Sequence, residues 1–280
     1  MIIVTGASGQ LGRAIVEQLL ERVPAAGIGA SVRDPGKIAD LAGRGVRVRR
    51  ADFEDKSALA HAFEGASRVL LVSSDAQRRG GDPIAQHRTA IATAREAGAS
   101  RVFYTSHLAA SPTSAFGPMH THAKTEALLA EAGIPFTALR NGFYATTALE
   151  MVEQARATGK LVAPADGRVS WTSHADLAVA TAAILADPND PADGPIRLTG
   201  GEALDLADIA ALASLERVVV SDEEHRARLR TFGLPERVQD IVVSMFVASR
   251  NAEFATVDPT LERLIGRKPI SVREMLAPKK

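Results

Sequence analysis

Cysteine is absent from this 280-residue chain, which removes disulfide scaffolds, thiolate metal sites and cysteine nucleophiles together. Neither sign of charge dominates: 33 Lys and Arg meet 33 Asp and Glu, for a formal net charge of zero. That balance excludes a protein built chiefly to grip nucleic acid or an anionic membrane by charge. No apolar run approaches the roughly 18 residues of a membrane span. Aromatic residues make up only 4% of the chain, with one Trp and two Tyr. Any tyrosine chemistry can therefore be tested at two positions only. What remains is ordinary for a globular protein, 46% hydrophobic and 24% charged, and long enough for a full core.

Met1-Ile2-Ile3-Val4 reads as a short buried strand, and a glycine-rich turn begins at once with Thr5-Gly6. A signal peptide needs a basic segment, an apolar stretch and a cleavage site ahead of the fold; the start leaves no room for one, and the cytoplasm is the expected compartment. Strand and helix signals then alternate with short connections, the mark of parallel α/β units. Leu11, Ile15 and Leu19 with Val16, Leu20 and Val23 make one apolar helical stripe. Strands are expected at 28–32, 46–48, 68–72, 101–105 and 136–139, and helices at 83–97 and 120–132. Past Arg140 the alternation weakens, with helices expected at 146–157, 176–185, 206–215, 223–229 and 237–248 and strands at 196–199 and 218–220. The fold class predicted is α/β, a Rossmann-type doubly wound parallel sheet over 1–140, with a smaller C-terminal α/β lobe over 141–280 interleaved with that sheet. Ligands of such sheets bind outside the carboxyl ends of the strands. That directs attention to the loops after Val4, Val32, Val72, Thr105 and Leu139.

Thr5-Gly6-Ala7-Ser8-Gly9-Gln10-Leu11-Gly12 spaces its glycines G-x-x-G-x-x-G between a strand and a helix. Gly6 permits the tight turn, Gly9 lets backbone approach a pyrophosphate, and Gly12 lets the helix pack on the sheet. Ser8, Gln10 and Leu11 share the helix start, whose unpaired N–H groups attract phosphate. The plain alternative is that these glycines only make turns. The strand–turn–helix context favours dinucleotide binding. The 2′ position of the cofactor is read roughly 20 residues past such a loop, at Ser31-Val32-Arg33-Asp34. Arg33 suits a 2′-phosphate, and Asp34 before Pro35 reads as a helix cap; NADPH is expected, with NADH also accommodated. A solvated surface arginine is the alternative. Asp52 and Phe53 follow the third strand, where a carboxylate can accept from an adenine amino group or can simply make a turn. Ser73, Ser74, Thr105, Ser106 and His107 end strands four and five at the same rim, with turn formation the competing role for Ser73 and Ser106. Asn141, Gly142 and Phe143 follow the last strand of the first region, where cofactor contacts are expected.

The glycine loop, Val32-Arg33-Asp34-Pro35, Tyr104-Thr105-Ser106, Leu139-Arg140-Asn141-Gly142-Phe143-Tyr144 and the Trp171–Asp176 stretch resemble the NmrA-like atypical short-chain dehydrogenases. Within that family the likeness is to bacterial members that reduce quinones and triphenylmethane dyes, and it extends from Met1 to Leu264-Ile265-Gly266. The resemblance implies a Rossmann fold, NADPH and direct hydride transfer without flavin; a homodimer is compatible with the family.

Ordinary short-chain dehydrogenases use a Tyr-x-x-x-Lys dyad in which the tyrosine is a general acid. Tyr104 is followed four places on by Leu108 and Tyr144 by Ala148. The dyad is absent. His120 and Lys124 lie four apart, on one helix face, and are the candidate catalytic pair; two exposed helix residues are the alternative. Lys124 resembles a lysine of related NmrA-like proteins, while His122 matches a histidine of the quinone-reducing members. His120-x-His122 lacks a carboxylate cluster, so no metal is expected. Reduction of a ketone gives an alkoxide that needs an acid in the transition state. A quinone gives a ring-stabilised anion that can be protonated later, so an electron-poor acceptor suits a site that works by holding reactants close. Phe143, Tyr144 and Phe116, with His107, are the candidate acceptor contacts. Phe103 and Phe136 are expected in the core. The function expected is reduction of a quinone or similar small-molecule acceptor by NADPH, without flavin or metal and without nucleic-acid or membrane partners. The alternative is a non-catalytic dinucleotide-binding redox sensor.

Overall fold

The computed structural model describes residues 1–277. The chain begins with β1 (Ile2–Thr5), α1 (Gln10–Leu20), β2 (Ile28–Val32), α2 (Ala39–Gly43), β3 (Arg47–Arg50), α3 (Lys56–Phe63) and β4 (Arg68–Leu71). It continues with α4 (Pro83–Glu96), β5 (Arg101–His107), α5 (Pro118–Glu131), β6 (Phe136–Asn141), α6 (Ala145–Arg156), β7 (Lys160–Pro164) and α7 (His174–Ala186). The last elements are β8 (Gly194–Leu198), α8 (Leu206–Leu212), β9 (Glu216–Val220), α9 (Asp222–Thr231), α10 (Glu236–Arg250), α11 (Thr260–Ile265) and α12 (Val272–Leu276).

Residue contacts divide the chain into two units made of interleaved segments. Unit 1 comprises Met1–Ser106, Thr121–Arg140 and His174–Ile196; unit 2 comprises His107–His120, Asn141–Ser173 and Arg197–Lys280. The reason lies in α7 and β8. Helix α7 packs on α1, and its alanines let it be buried on nearly every side, which draws a late segment back to the first unit.

Unit 1 holds the seven-stranded sheet, in the order β3-β2-β1-β4-β5-β6-β8. The pairings of β1 with β2 and β4, of β2 with β3 and of β4 with β5 are parallel. This is the doubly wound order, which reverses direction between β1 and β4 and so opens a crevice at their carboxyl ends. One face of the sheet packs Ile3, Val69 and Val102 against Leu59 and Phe63 of α3 and Ala90, Ile91 and Ala94 of α4. The expected third strand, 46–48, lies slightly later, at Arg47–Arg50.

Unit 2 is built on a two-stranded parallel sheet, β7 with β9, in register Leu161 to Arg217 and Ala163 to Val219. Strand β7 and the short helices α11 and α12 go beyond the expected elements. The core of this unit joins Phe143, Val152, Leu161, Trp171, Phe246 and Phe254. Among the described residues no helix is long and apolar enough to cross a membrane.

Candidate active site

The candidate cleft of unit 1 is set by the first turn of the chain. After β1 the backbone reverses at Gly6, whose φ of +59° is the left-handed region that favours glycine. A Cβ on Gly12 would stand 2.4 Å from the Gly6 carbonyl oxygen, so only glycine lets α1 begin this close to the loop. Gly9 caps α1 with extended backbone, no side chain caps the helix, and its first turn carries no acid. The unpaired N–H groups and the positive end of the helix dipole are thus left for an anion.

Gly6, Ser8 and Gly9 line a cleft of about 420 Å³ together with Arg33, Asp52, Phe53, Ser73 and Ser74. Lys37, which the sequence reading passed over, lines it as well. Arg33 and Lys37 are both exposed, and neither makes an ion pair among the described residues. Asp34 does not neutralise them by way of the cap: its carboxylate accepts from the Gly36 N–H at 3.0 Å, at the start of the short turn after Pro35. The cap expected of Asp34 is therefore formed, and two cations stand at the end of β2.

The loop after β4 forms the opposite wall, and buried side chains hold it in place. Three successive amides each find a side-chain acceptor: Val72 N–H on Thr5 Oγ1 at 2.9 Å, Ser73 N–H on Thr105 Oγ1 at 2.8 Å, and Ser74 N–H on His87 Nε2 at 2.9 Å. The last contact fixes the tautomer of His87. Nε2 accepts, so the proton is on Nδ1, which faces Thr125 Oγ1 at 2.8 Å; Thr125 in turn donates to the Thr121 carbonyl. Burial pushes His87 down to about 3, with the neighbouring His122 acting in the same direction and Asp82 against it. The Ser74 hydroxyl donates to Gln86, whose amide donates to Glu54 at 2.9 Å. Tyr104, 0% exposed, places its hydroxyl 3.3 Å from Ser73 Oγ and 2.9 Å from His122 Nδ1. Burial holds His122 down to about 4, opposed by Glu126. Both histidines are neutral near pH 7.

The remaining candidates fall elsewhere. Gln10, Leu11 and Gly12 form the first turn of α1 and are not among the residues lining the cleft. Thr105 is buried and spent on the Ser73 amide. Ser106 donates to Glu126, whose two carboxylate oxygens take Arg140 Nε at 2.9 Å and Nη2 at 2.6 Å. That clamp joins the ends of β5 and β6 to α5. Lys124 is exposed and makes no ion pair among the described residues. His120 belongs to unit 2, where its Nε2 meets the Ser114 carbonyl at 2.8 Å.

Unit 2 also gathers the acceptor candidates. The Phe143 ring lies 5.5 Å from that of His107, 6.0 Å from Phe116 and 5.0 Å from Phe254. Trp171 stands edge-on to it at 5.5 Å. Phe143 is nevertheless buried, within the core of the unit. Asn141 is buried, and its main-chain carbonyl accepts from Leu108 N–H at 2.8 Å; Gly142 N–H donates to the Leu198 carbonyl at 2.8 Å. Tyr144 is the N-cap of α6, and burial pushes its phenol above the ordinary range, with the Asn141 amide acting against it. His87, Gln86, Tyr104 and Lys37 are the residues the sequence reading missed in unit 1. The signal for the first two was present: Gln86 and His87 share the buried stripe of α4 with Ala90, Ile91 and Ala94.

Comparisons with known proteins agree over the whole length. The model of the NmrA-like family matches residues 1–265. Quinone oxidoreductase 2 of Escherichia coli strain K12 is 35% identical over 99% of this chain and 98% of its own. A crystal structure of an NADPH-dependent quinone oxidoreductase from Escherichia coli, complexed with NADPH, superposes with a TM-score of 0.92 at 34% identity, covering 99% and 98%. The Citrobacter sp. triphenylmethane reductase complexed with NADP(H) gives 0.87 at 30% identity, covering 99% of both chains.

Proposed function

Because the chain belongs to the NmrA-like family, we propose that it is an NADPH-dependent reductase that passes hydride to an electron-poor, quinone-type acceptor. The observation that carries the cofactor assignment is the pairing of an uncapped helix start with two cations at the end of β2. The α1 amides and Gly9 take the diphosphate; Arg33 and Lys37 take the 2′-phosphate. Asp52 and Phe53 face the adenine end, and Ser73 and Ser74 stand on the wall that the buried Thr5, Thr105 and His87 hold still. Reduced nicotinamide supplies the hydride when it is bound.

The acceptor class follows from what the chain cannot do with a proton. Tyr104 is the one tyrosine of unit 1, and its hydroxyl is 0% exposed and engaged with His122 and Ser73. The other, Tyr144, is raised by burial. His87 is buried and His122 half-buried, and both are held neutral. No tyrosine therefore stands where a short-chain dehydrogenase keeps its acid. An acceptor whose reduced form is a stabilised anion does not need one in the transition state, and positioning then carries the rate. The relatives named above are a quinone oxidoreductase and a triphenylmethane reductase, and so the reductase is preferred to the redox sensor.

The test is the loss of NADPH absorbance when a benzoquinone is added to flavin-free protein. Consumption without added flavin is expected. Replacing Arg33 and Lys37 by Ser should weaken NADPH about 10- to 100-fold, in line with about 1.5–3 kcal/mol for a charge-assisted contact, and leave NADH nearly unchanged. Equal weakening of both cofactors removes the 2′-phosphate assignment. Intact NADPH binding with no turnover of any quinone or dye would favour the sensor.

A further inference from the structure

Unit 2 carries a cleft of its own, of about 770 Å³, which the cofactor site does not use. Its volume lies within the roughly 300–1,000 Å³ that holds a small organic molecule. Met151 of α6, Leu161 of β7, Leu229 of α9 and Val242, Met245 and Phe246 of α10 supply apolar walls. Phe232, which also lines it, is 74% exposed, the highest value among the exposed large hydrophobic side chains. Single exposed apolar residues are common, but Phe232 continues the apolar lining of the cleft, and a contiguous exposed apolar patch is the mark of a binding surface.

The charge on this cleft has one sign. Arg228 lines it, exposed, and makes no ion pair among the described residues. Lys160 lines it too, with its ammonium 3.2 Å from the carboxylate of Glu216, which is not part of the wall. No Asp or Glu is among the lining residues. His225 stands edge-on to Phe246 with ring centroids 5.3 Å apart, and its buried Nδ1 has no hydrogen-bond partner among the described residues. A buried polar atom without a partner calls for an explanation, and a turn of the ring toward a bound acid group supplies one.

We propose that this cleft binds a small hydrophobic organic anion, with its aromatic or aliphatic body against Met151, Met245 and Phe246 and its acid group at Arg228. An anion gains an ion pair with Arg228 that a neutral ligand cannot make, and a cationic ligand would be repelled by Arg228. The proposal concerns unit 2 alone and does not rest on the reductase reading.

Calorimetric titration of the full-length protein with naphthalene-2-sulfonate, 2-naphthol and 2-naphthylmethylammonium tests it, because the three share a body and differ in charge. One saturable site is expected, with the sulfonate about fivefold tighter than the naphthol, the size of an exposed ion-pair effect, and the ammonium weakest. Arg228→Gln should abolish the preference for the anion while leaving naphthol binding unchanged, and Arg228→Lys should restore most of it. Gln154→Trp, at an exposed lining position, should block all three ligands. Equal affinities for the three ligands, or no saturable binding, would overturn the proposal. So would a sulfonate site lost in Arg33→Ser and kept in Arg228→Gln, since the probe would then occupy the cleft of unit 1. Concentration-dependent self-association that Phe232→Ser abolishes would also overturn it, by making a second copy the occupant.

Discussion

Replacing His87 by Leu removes the acceptor of the Ser74 N–H and the donor to Thr125 while keeping a side chain of similar bulk. An amide left buried without a partner costs about 1–3 kcal/mol, so the variant should be about 2 kcal/mol less stable at pH 7. The distinctive consequence is its dependence on pH. His87 is held down to about 3 in the fold, against about 6.5 in an unfolded chain. Between those values the unfolded chain binds a proton that the native one refuses. The stability tied to a neutral His87 is therefore complete above about pH 6.5 and falls as the pH drops toward 3. At pH 5 the loss is about 2 kcal/mol. His122, held to about 4, contributes alike to both proteins and cancels in their difference. Urea unfolding should thus show the wild type ahead by about 2 kcal/mol at pH 7 and nearly level with His87→Leu at pH 5. A gap that stays constant between the two pH values would refute the buried neutral imidazole. Because Ser73 and Ser74 line the cleft proposed to hold the cofactor, NADPH affinity at pH 7 should fall in His87→Leu and recover in His87→Gln, which retains a carbonyl acceptor.

Two further outcomes are expected. Phe143→Ala empties the centre of the aromatic cluster of unit 2 and should cost about 3–5 kcal/mol, the range for a buried phenylalanine, read as a large drop in the thermal midpoint; an unchanged midpoint would show that the ring is not core. Lys124→Ala and His120→Ala should each lower turnover by less than about 10²-fold, below the 10²–10⁴ typical of general acid catalysis; near-total loss in Lys124→Ala with NADPH affinity retained would make Lys124 an acid.

The sheet was legible because β1, β2, β4, β5 and β6 are short, largely apolar runs between turn signals, and parallel strands joined by helices leave few topologies. Strand β3, Arg47–Arg50, has one apolar residue and is the weakest signal of the six. Strand β7 was not legible. Lys160 to Pro164 holds only three apolar residues before its proline, and its partner Glu216–Val220 lies beyond α7, β8 and α8. No local pattern announces a pairing that distant. The interleaving of the units was expected, but the segments that carry it could not be picked out, for a related reason. His174–Ala186 looks like any Ala-rich helix in sequence, and only its packing on α1 assigns it to the first unit.

At the candidate site, legibility followed the kind of group involved. Gly6, Gly9 and Gly12 act through backbone geometry, which spacing alone records, and Arg33 acts at a fixed distance from them. Lys37 sits on a short turn after Pro35, where neither period nor distance from the loop points to it. The wall of the cleft was the hardest part to read, because it is held by side chains that break the apolar pattern. Thr5 ends β1 and Thr105 lies near the carboxyl end of β5, and Gln86 and His87 occupy the stripe of α4 that otherwise carries Ala90, Ile91 and Ala94. Each would destabilise a purely apolar core, since a buried polar atom costs free energy unless it is paired. Here each is paired, and Thr5, Thr105 and His87 accept in turn from the amides of Val72, Ser73 and Ser74. A loop with three consecutive amides fixed from behind has little freedom left, which is the property required of the wall of a site that works by holding two reactants in line.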